Sequence, residues 1–156
     1  MERFRLRPMT AAEFAAYRAR LIPSYAAEHV EAGDWDPDRA EELSARAIDD
    51  LLPAGPQTAG MLMLMAENGE GEQVGNVWIA LDRPRPGAAW IYYIEVSPGQ
   101  RGKGYGRTLL NAAEAAAAQH GITAMGLNVF GSNAVARKLY ESNGYQVASL
   151  VMQKPL

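Results

Sequence analysis

The sequence has 156 residues, 48% hydrophobic and 21% charged, with a net charge of −3, which is typical of an ordinary globular protein with one substantial core. It contains no cysteine, which excludes disulfides, thiolate catalysis and cysteine-type zinc sites, and its two histidines lie far apart. We therefore expect a single domain over residues 1–156 without a bound metal.

Targeting signals and charge limit the partners further. The first ten residues lack the apolar run of a secretory signal, and the longest apolar stretch, MLMLMA, is too short to cross a bilayer, so we expect a cytoplasmic protein with no membrane partner. Residues 28–50 carry a net charge of −7 and residues 83–154 one of +5. The two segments either form ordinary solvated surfaces, or they form separate binding faces, the acidic one for a cation and the basic one for an anion. Because the bases gather in one loop, no nucleic-acid partner is expected.

The first half of the chain predicts one strand and two helices. RFRLRP alternates like a strand, and Thr10 with Glu13 forms a capping box for a helix to about residue 30, which Pro23 should bend or split. A second helix is predicted from Asp36 or Asp38 through residue 52.

The centre of the chain predicts a three-stranded meander. GMLMLMAE and QVGNVWIALD are strands separated by the turn-rich NGEGE, and AAWIYYIEV follows after another tight connection. The nearly continuous apolar character of the third strand suits a central position covered on both faces.

The last third alternates helices and strands. We predict a helix over residues 104–120 ended by Gly121, a strand in TAMGLNVF, a short helix from the cap Ser132 through Ser142, and a final strand, YQVASLVMQK, that closes the sheet. A strand–helix–strand unit requires a parallel pair, whereas a meander requires antiparallel pairs. The expected product is an α/β fold with a mixed sheet and helices on both faces.

The loop VSPGQRGKGYGRTLL, residues 96–110, has the composition of an anion site. Alternate glycines permit sharp bends and close approach of a ligand, and the N-terminus of the following helix attracts negative charge. Arg101, Lys103 and Arg107 add cations, so a phosphate or pyrophosphate is favoured over a plain turn. The spacing matches neither a P-loop nor a dinucleotide fingerprint, because Arg107 stands where the latter requires glycine.

Two sequence blocks together resemble the GNAT N-acetyltransferase superfamily. RGKGYG at 101–106 is similar to the family's acetyl-CoA loop, [RQ]-x-x-G-x-[GA], after a hydrophobic strand. LNVFGSNAVARKLYESNGYQ resembles its L-x-V-x-x-x-N-x-x-A-x-x-L-Y-x-x-x-G-[FY] run. The resemblance covers about residues 91–146, whereas the N-terminal third matches only in element order.

The resemblance implies a GNAT fold and an acetyl-CoA-dependent N-acyltransferase. The fold has a mixed, mostly antiparallel sheet of six to seven strands with a splayed parallel pair, here 90–96 and 123–129. The implied reaction is direct transfer from acetyl-CoA to a primary amine in a ternary complex. Homodimers are common among such proteins, so a homodimer is a further expectation.

The resemblance also implies cofactor-binding residues. Backbone groups of Ile94 and Val96 would bind the pantetheine and polarise the acetyl carbonyl, and Asn133 would contact the cofactor, or else cap the short helix. The amides of the loop would hold the pyrophosphate, with Arg107 adding charge; these loop residues are Arg101, Gly102, Lys103, Gly104, Tyr105 and Gly106.

Two residues are candidates for proton transfer. By resemblance Tyr140 lies near the thioester sulfur, where a phenol can protonate the departing thiolate, although core packing is the alternative. Glu95 lies in an otherwise apolar strand, where an acid is costly unless solvated or paired. It is either the base that deprotonates the amine or the partner of a nearby arginine.

The acceptor site is expected at the first two helices. Tyr25, Glu28, His29 and Trp35 combine acidic and aromatic groups, which suit a cationic amine on a small molecule or peptide. A polyamine, an aminoglycoside-like amine, an amino acid and a protein N-terminus all remain open. The rival interpretation is a noncatalytic acyl-CoA-binding sensor or scaffold, and a third is a nucleotide-phosphate binder.

Overall fold

Five strands form one mixed sheet in the computed structural model, which describes residues 4–156. The strands, in both chain and spatial order, are β1 (Arg5–Pro8), β2 (Met61–Glu67), β3 (Gln73–Leu81), β4 (Ala88–Val96) and β5 (Ala124–Leu127). Successive pairs from β1 to β4 are antiparallel, and β4 pairs with β5 in parallel. The helices are α1 (Ala11–Glu31), α2 (Ala40–Leu51), α3 (Tyr105–Ala118) and α4 (Ala134–Ser142).

The helices cover both faces of the sheet, as predicted. Alternate side chains of β3 point to opposite faces. Trp78 packs with the α1 and α2 side, whereas Val77 and Ile79 pack against α3 through Leu109 and other residues. This two-sided burial explains why the middle strands have nearly continuous apolar runs.

Helix α1 begins with the predicted capping box. The Glu13 N–H donates to Thr10 Oγ1 at 3.2 Å, and the Thr10 N–H donates to Glu13 Oε1 at 2.9 Å. The helix continues through Pro23, so the prediction that Pro23 could split it is wrong. Near the proline, the buried Ser44 hydroxyl of α2 donates to the Ile22 carbonyl at 2.8 Å, which ties the two helices together there.

Two other helix starts differ from the prediction, and in α2 no side chain caps the first turn. The Asp36 carboxylate accepts the Asp38 N–H at 2.8 Å and forms a turn, so α2 begins only at Ala40. Asn133, rather than Ser132, caps α4, since its Oδ1 accepts the Ala136 N–H at 3.1 Å.

The predicted final strand is absent from the sheet. Residues 146–156, which we call the C-terminal arm, are exposed throughout and make no hydrogen bond within residues 4–156. The sheet of the described residues therefore has five strands rather than six or seven. Strand propensity is local, but a strand forms only where another strand edge is available, and this arm pairs with none of the described strands. None of the described helices is long and apolar enough to span a membrane.

An ion-pair network joins β1, β2 and α1. The Arg7 guanidinium donates to both Glu13 oxygens at 2.8 and 2.9 Å, and to Glu67 Oε1 at 2.6 Å. Hydrogen bonds from Arg7 and from the Thr10 backbone lower the pKa of Glu13 to about 2. The ionised carboxylate therefore stabilises the folded chain.

We expect Glu13→Gln to lower the free energy of unfolding at pH 7 by about 1–2 kcal/mol, because Gln keeps a capping oxygen but loses the charged bond to Arg7. The folded pKa lies below the ordinary 4.5, so the contribution is complete above pH 4.5 and is lost as the pH falls towards 2. Urea unfolding at pH 7 and pH 3 measures this. Exposed Glu41→Gln is the control, and a difference independent of pH would contradict the assignment.

Candidate active site

The sheet opens between β4 and β5. The two strands pair only from Ala88–Ala124 to Ile91–Leu127, while β4 runs on to Val96 without a partner on that side among the described residues. The opening begins at a β-bulge in β4. Trp78 of β3 pairs with Tyr93, but Ile79 pairs with Ile91, so Tyr92 has no partner residue in β3. A bulge bends its strand, which accounts for β4 leaving β5 at this point.

Backbone groups of two predicted residues face this opening. The Ser97 N–H donates to the Val74 carbonyl of the β3 side at 2.9 Å. Since successive residues of a strand direct their backbone groups to opposite sides, those of Val96 and Ile94 point away from β3. Arg101 Nε donates to the Val96 carbonyl at 3.3 Å, which agrees with this orientation. The opening therefore offers an extended ligand backbone groups that no neighbouring strand pairs with, although the Val96 carbonyl already accepts from Arg101.

The glycine loop joins the end of β4 to α3. Gly102 and Gly104 have φ of +78° and +83°, left-handed conformations that disfavour any side chain, and a Cβ on either would meet no atom within 4 Å. Gly104 caps α3, so the N–H groups of Gly106 and Arg107 in the first turn lack acceptors within the helix. The bent backbone thus leaves open space above amide donors.

The loop side chains are engaged to different degrees. Arg101 Nη2 lies 3.7 Å from Glu95 Oε1, and the Lys103 amine donates to Gln100 Oε1 at 3.0 Å. Arg107 reaches the end of α4, where it donates to Ser142 Oγ at 3.0 Å. All three cations stay exposed.

Tyr105 and Gly106 serve the packing of α3. The Tyr105 ring packs on the core, 6.2 Å from that of Phe4. A Cβ on Gly106 would lie 3.3 Å from Leu139 Cδ2, so this glycine allows α4 to approach α3 closely.

Helix α4 carries Asn133 and Tyr140. The Asn133 oxygen is occupied as the helix cap, the alternative raised from the sequence. Tyr140 is half-buried, and its hydroxyl makes no hydrogen bond within residues 4–156. Burial, followed by the charge of Glu28, raises its pKa. The phenol therefore holds its proton at neutral pH.

Glu95 lies on the α1 side of β4. Its side chain is 25% exposed, 3.7 Å from Arg101 Nη2 and 3.5 Å from the Asn76 amide nitrogen. The arginine pairing considered from the sequence thus exists, at a long distance. Glu95 also lines a small pocket with Tyr93, Tyr17, Arg20, Leu21 and Ser24.

Glu28 connects the two candidate proton-transfer residues electrostatically. Burial raises its pKa first, and the charges of Glu31 and Glu95 raise it further. Its own charge raises the pKa of Tyr140 and of Tyr93. Carboxylates from α1 and β4 therefore make this side of the opening acidic.

Three predicted acceptor residues form an aromatic cluster. The His29 ring stacks on Trp35 at 4.0 Å, with Tyr25 at 4.5 Å and Phe130 at 5.4 Å from the same ring. His29 Nδ1 is hydrogen-bonded to Asp34 at 2.9 Å, and its side chain is only 17% exposed. The cluster joins the end of α1 to the segment after β5, and His29 is enclosed rather than solvent-facing.

Tyr25 belongs also to an apolar pocket between α1, α2 and the sheet. The pocket is lined by Leu21, Tyr25, Ile48, Leu51, Trp78, Tyr92 and Tyr93. Tyr93 lines both pockets, and its hydroxyl shares a hydrogen bond of 2.8 Å with Ser24 Oγ. Acidic and aromatic surfaces thus adjoin beside the opening.

Sequence reasoning overlooked the polar residues further up α1. Tyr17 is buried with an unpartnered hydroxyl in the pocket of Glu95, and Ser24 bonds Tyr93. Together with Leu21 and Glu28, these residues recur every three or four positions and therefore share one face of α1. The same spacing counted back from Glu28 in the sequence could have found them. Within residues 4–156, no group of three or more His, Asp or Glu side chains is arranged to hold a metal ion.

Comparison with known proteins shows the same fold and sequence pattern. YycN of Bacillus subtilis, an uncharacterized N-acetyltransferase, is 39% identical over 97% of both chains, and YdgE of the same organism is 30% identical over 98% of both. A crystal structure of YycN matches over 99% of both chains with a TM-score of 0.94 and 38% identity.

A more distant structure was solved with a ligand. PaiA N-acetyltransferase of Thermoplasma acidophilum, in complex with coenzyme A, matches over 96% of this chain and 93% of its own, with a TM-score of 0.68 and 18% identity. That likeness concerns the fold alone. The model of the Acetyltransferase (GNAT) family matches residues 22–145. This chain therefore belongs to the GNAT acetyltransferase family, in which acetyl transfer from acetyl-CoA is general.

Proposed function

We propose that this protein transfers an acetyl group from acetyl-CoA to a positively charged primary amine, by direct attack of the amine on the thioester. The observation that carries the proposal is the unpaired stretch of β4 beside a left-handed glycine turn. No cysteine is available for an acyl-enzyme, and direct transfer needs none.

The opening and the loop suit the two ends of coenzyme A. The backbone groups of Ile94 and the Val96 N–H would hydrogen-bond the amide-containing pantetheine as a neighbouring strand would. The turn at Gly102 and Gly104, with the N-terminus of α3, would hold the diphosphate through N–H donors, helped by the three loop cations. Asn133 keeps its amide N–H₂ group for the cofactor while its oxygen caps α4.

The proton transfers fit the residues around the opening. Glu95, directly or through water, would take the proton that keeps the amine from attacking, and the adjoining acidic Glu28 is a second carboxylate for this task. The Val96 N–H would stabilise the charge that develops on the carbonyl oxygen. Tyr140, protonated at neutral pH, would donate its proton to the departing thiolate of coenzyme A.

The acceptor end is acidic and aromatic, which supports a cationic amine. Glu28 and Glu95 attract positive charge, while the rings of Tyr25, Tyr93 and Trp35 offer apolar or cation–π contacts. His29 is enclosed and bonded to Asp34, so we assign it a structural part in this surface.

Product analysis tests the proposal against the noncatalytic alternative. Release of free thiol from acetyl-CoA would be followed with a panel of primary amines, and mass spectrometry would identify a product heavier by one acetyl group. Tight coenzyme A binding without turnover across the panel would support an acyl-CoA sensor instead. A stronger thermal shift with ATP or NAD than with coenzyme A would favour a nucleotide binder.

Gly104→Glu should weaken coenzyme A binding at least 100-fold, because the side chain and its charge would occupy the space above the loop amides. Titration calorimetry measures the Kd. Gly121→Glu is the matched control, since Gly121 also has a positive φ and open surroundings but follows α3 at its far end. Equal affinities of the two variants would disprove the diphosphate assignment.

Tyr140→Phe should lower kcat by about 100-fold or more, with little change in the KM for acetyl-CoA, because only the proton donor is removed. Steady-state kinetics gives both parameters. Tyr145→Phe measures the effect of loosening α4 alone, since its hydroxyl donates to Glu114 at 3.0 Å and takes no direct part in the proposed chemistry. Full activity in Tyr140→Phe would remove the acid role.

Glu28→Gln should raise the KM for a cationic amine by about tenfold, the loss of about 1.4 kcal/mol of attraction, and leave the KM for acetyl-CoA unchanged. Initial rates at varied amine concentration provide the test. Exposed Glu31→Gln, one turn away on α1, controls for general loss of negative charge. An unchanged amine KM would show that Glu28 does not contact the acceptor.

A further inference from the structure

The pocket of Glu95 contains two opposite charges that do not pair with each other. Its wall includes Glu95 and Arg20, together with Tyr17, Leu21, Ser24 and Tyr93. Glu95 approaches Arg101 at 3.7 Å, whereas the exposed Arg20 guanidinium makes no ion pair or hydrogen bond within residues 4–156. One ligand that carries both charges would therefore find a counter-charge for each of them in this pocket.

Helix α1 supplies the cation and two hydroxyl groups from one face. Tyr17, Arg20 and Ser24 are spaced by three and four residues, which places them side by side along the helix. Tyr17 is 2% exposed, and its hydroxyl has no hydrogen-bond partner within residues 4–156. Burial raises the pKa of Tyr17, the charges of Tyr93 and Glu95 raise it further, and that of Arg20 lowers it, so both charges of the pocket act on this hydroxyl. An unpartnered buried hydroxyl is costly, and a ligand oxygen would satisfy it.

We propose that the acceptor is an α-amino acid whose carboxylate binds in this pocket, with Arg20 as its counter-ion and the Tyr17 hydroxyl as a second donor, an inference that rests on the proposed function. The α-amine would lie at Glu95. In an α-amino acid the two charged groups share one carbon, so a single small pocket with both counter-charges suits them. A guanidinium is well shaped for a carboxylate, because its planar fork of N–H donors matches the two oxygens.

The acyl transfer then yields an N-acetyl amino acid and coenzyme A. The amine nitrogen forms a bond to the acetyl carbon while the C–S bond of the thioester breaks. Of the two protons that the ammonium group loses, one leaves to solvent by way of Glu95, and one replaces the proton that Tyr140 gives to the thiolate. The carboxylate keeps its charge throughout and serves only to hold the acceptor at Arg20.

Other acceptors fit the pocket less well. A polyamine or an aminoglycoside would bring a second positive charge towards Arg20, which would repel it. A protein N-terminus has a peptide bond in place of the carboxylate and would leave the guanidinium without a counter-ion. The pocket encloses about 290 Å³ with its open mouth, near the lower limit of the roughly 300–1,000 Å³ of ligand sites, so it suits a small molecule.

Matched acceptors test the carboxylate site. Leucine, methionine and phenylalanine are each paired with the corresponding amide, which has the same side chain and an α-amine but no negative charge. Apolar side chains are chosen because Leu21 and Tyr93 also line the adjoining apolar pocket. Arg20→Gln should lower the ratio of kcat/KM for acid over amide about tenfold, mainly through the KM of the amino acid, with the KM for acetyl-CoA unchanged. The intrinsic basicities of the two amines cancel, because the same pair is compared in each variant.

Three further variants separate recognition from folding. Arg85→Gln removes the same charge from the exposed turn between β3 and β4, at the end of β4 away from the pocket, and should leave the ratio unchanged. Arg20→Lys keeps the charge and should retain part of the preference. Tyr17→Phe should lower the ratio without lowering the midpoint of urea unfolding, because the hydroxyl has no partner in the free protein.

Two results would overturn the carboxylate site and leave acetyl transfer standing: a ratio that Arg20→Gln does not change, and a polyamine preferred over every amino acid. If no amine is acetylated, titration calorimetry of the coenzyme A complex with the same amino acids decides. Binding that Arg20→Gln abolishes would support the carboxylate site and overturn the transfer, whereas the absence of binding would overturn both.

Discussion

The site depends on the early separation of β5 from β4. A strand residue inside a sheet must give its N–H and C=O to neighbours, and unpaired groups are tolerated only where water or a ligand can reach them. The bulge at Tyr92 turns β4 away after Ile91, so the backbone of Ile94 and Val96 loses the partner that a regular sheet would supply. An extended ligand can use the Ile94 groups and the Val96 N–H without breaking any bond of the fold.

Charge divides the opening into two regions. The glycine loop carries exposed cations just after β4 ends, whereas the carboxylates Glu28 and Glu95 lie on α1 and on the α1 side of β4. Arg101 connects the cationic loop with the acidic side, because its guanidinium donates to the Val96 carbonyl and lies 3.7 Å from Glu95. Under the proposed function, an anionic cofactor would be drawn to the cationic loop and a cationic acceptor to the acidic side.

Local sequence patterns predicted most of the elements, whereas features that depend on pairing or competition were missed. The capping box at Thr10 and the sharp bends at the loop glycines each depend on a few adjacent residues, and both are confirmed, whereas phosphate binding by the loop stays a prediction. Ser132 and Asn133 can both cap a helix, so only the folded geometry selects Asn133. The arm has a strand sequence, but no local pattern states which edge a strand will join. The site roles of Glu95 and Tyr140 remain predictions.

Helix α3 couples the loop to the position of Tyr140. Its first turn supplies amides to the opening, and the same turn holds α4 through the Gly106–Leu139 approach and the Arg107–Ser142 bond. α4 has no fully buried residue, so these contacts and the Tyr145–Glu114 bond further along α3 help to fix it, together with the packing of Leu139 and Tyr140 on the core. A larger residue at Gly106 would therefore displace the phenol of Tyr140 even if the loop amides kept their positions. One glycine can thus affect proton donation without lying in the open part of the loop.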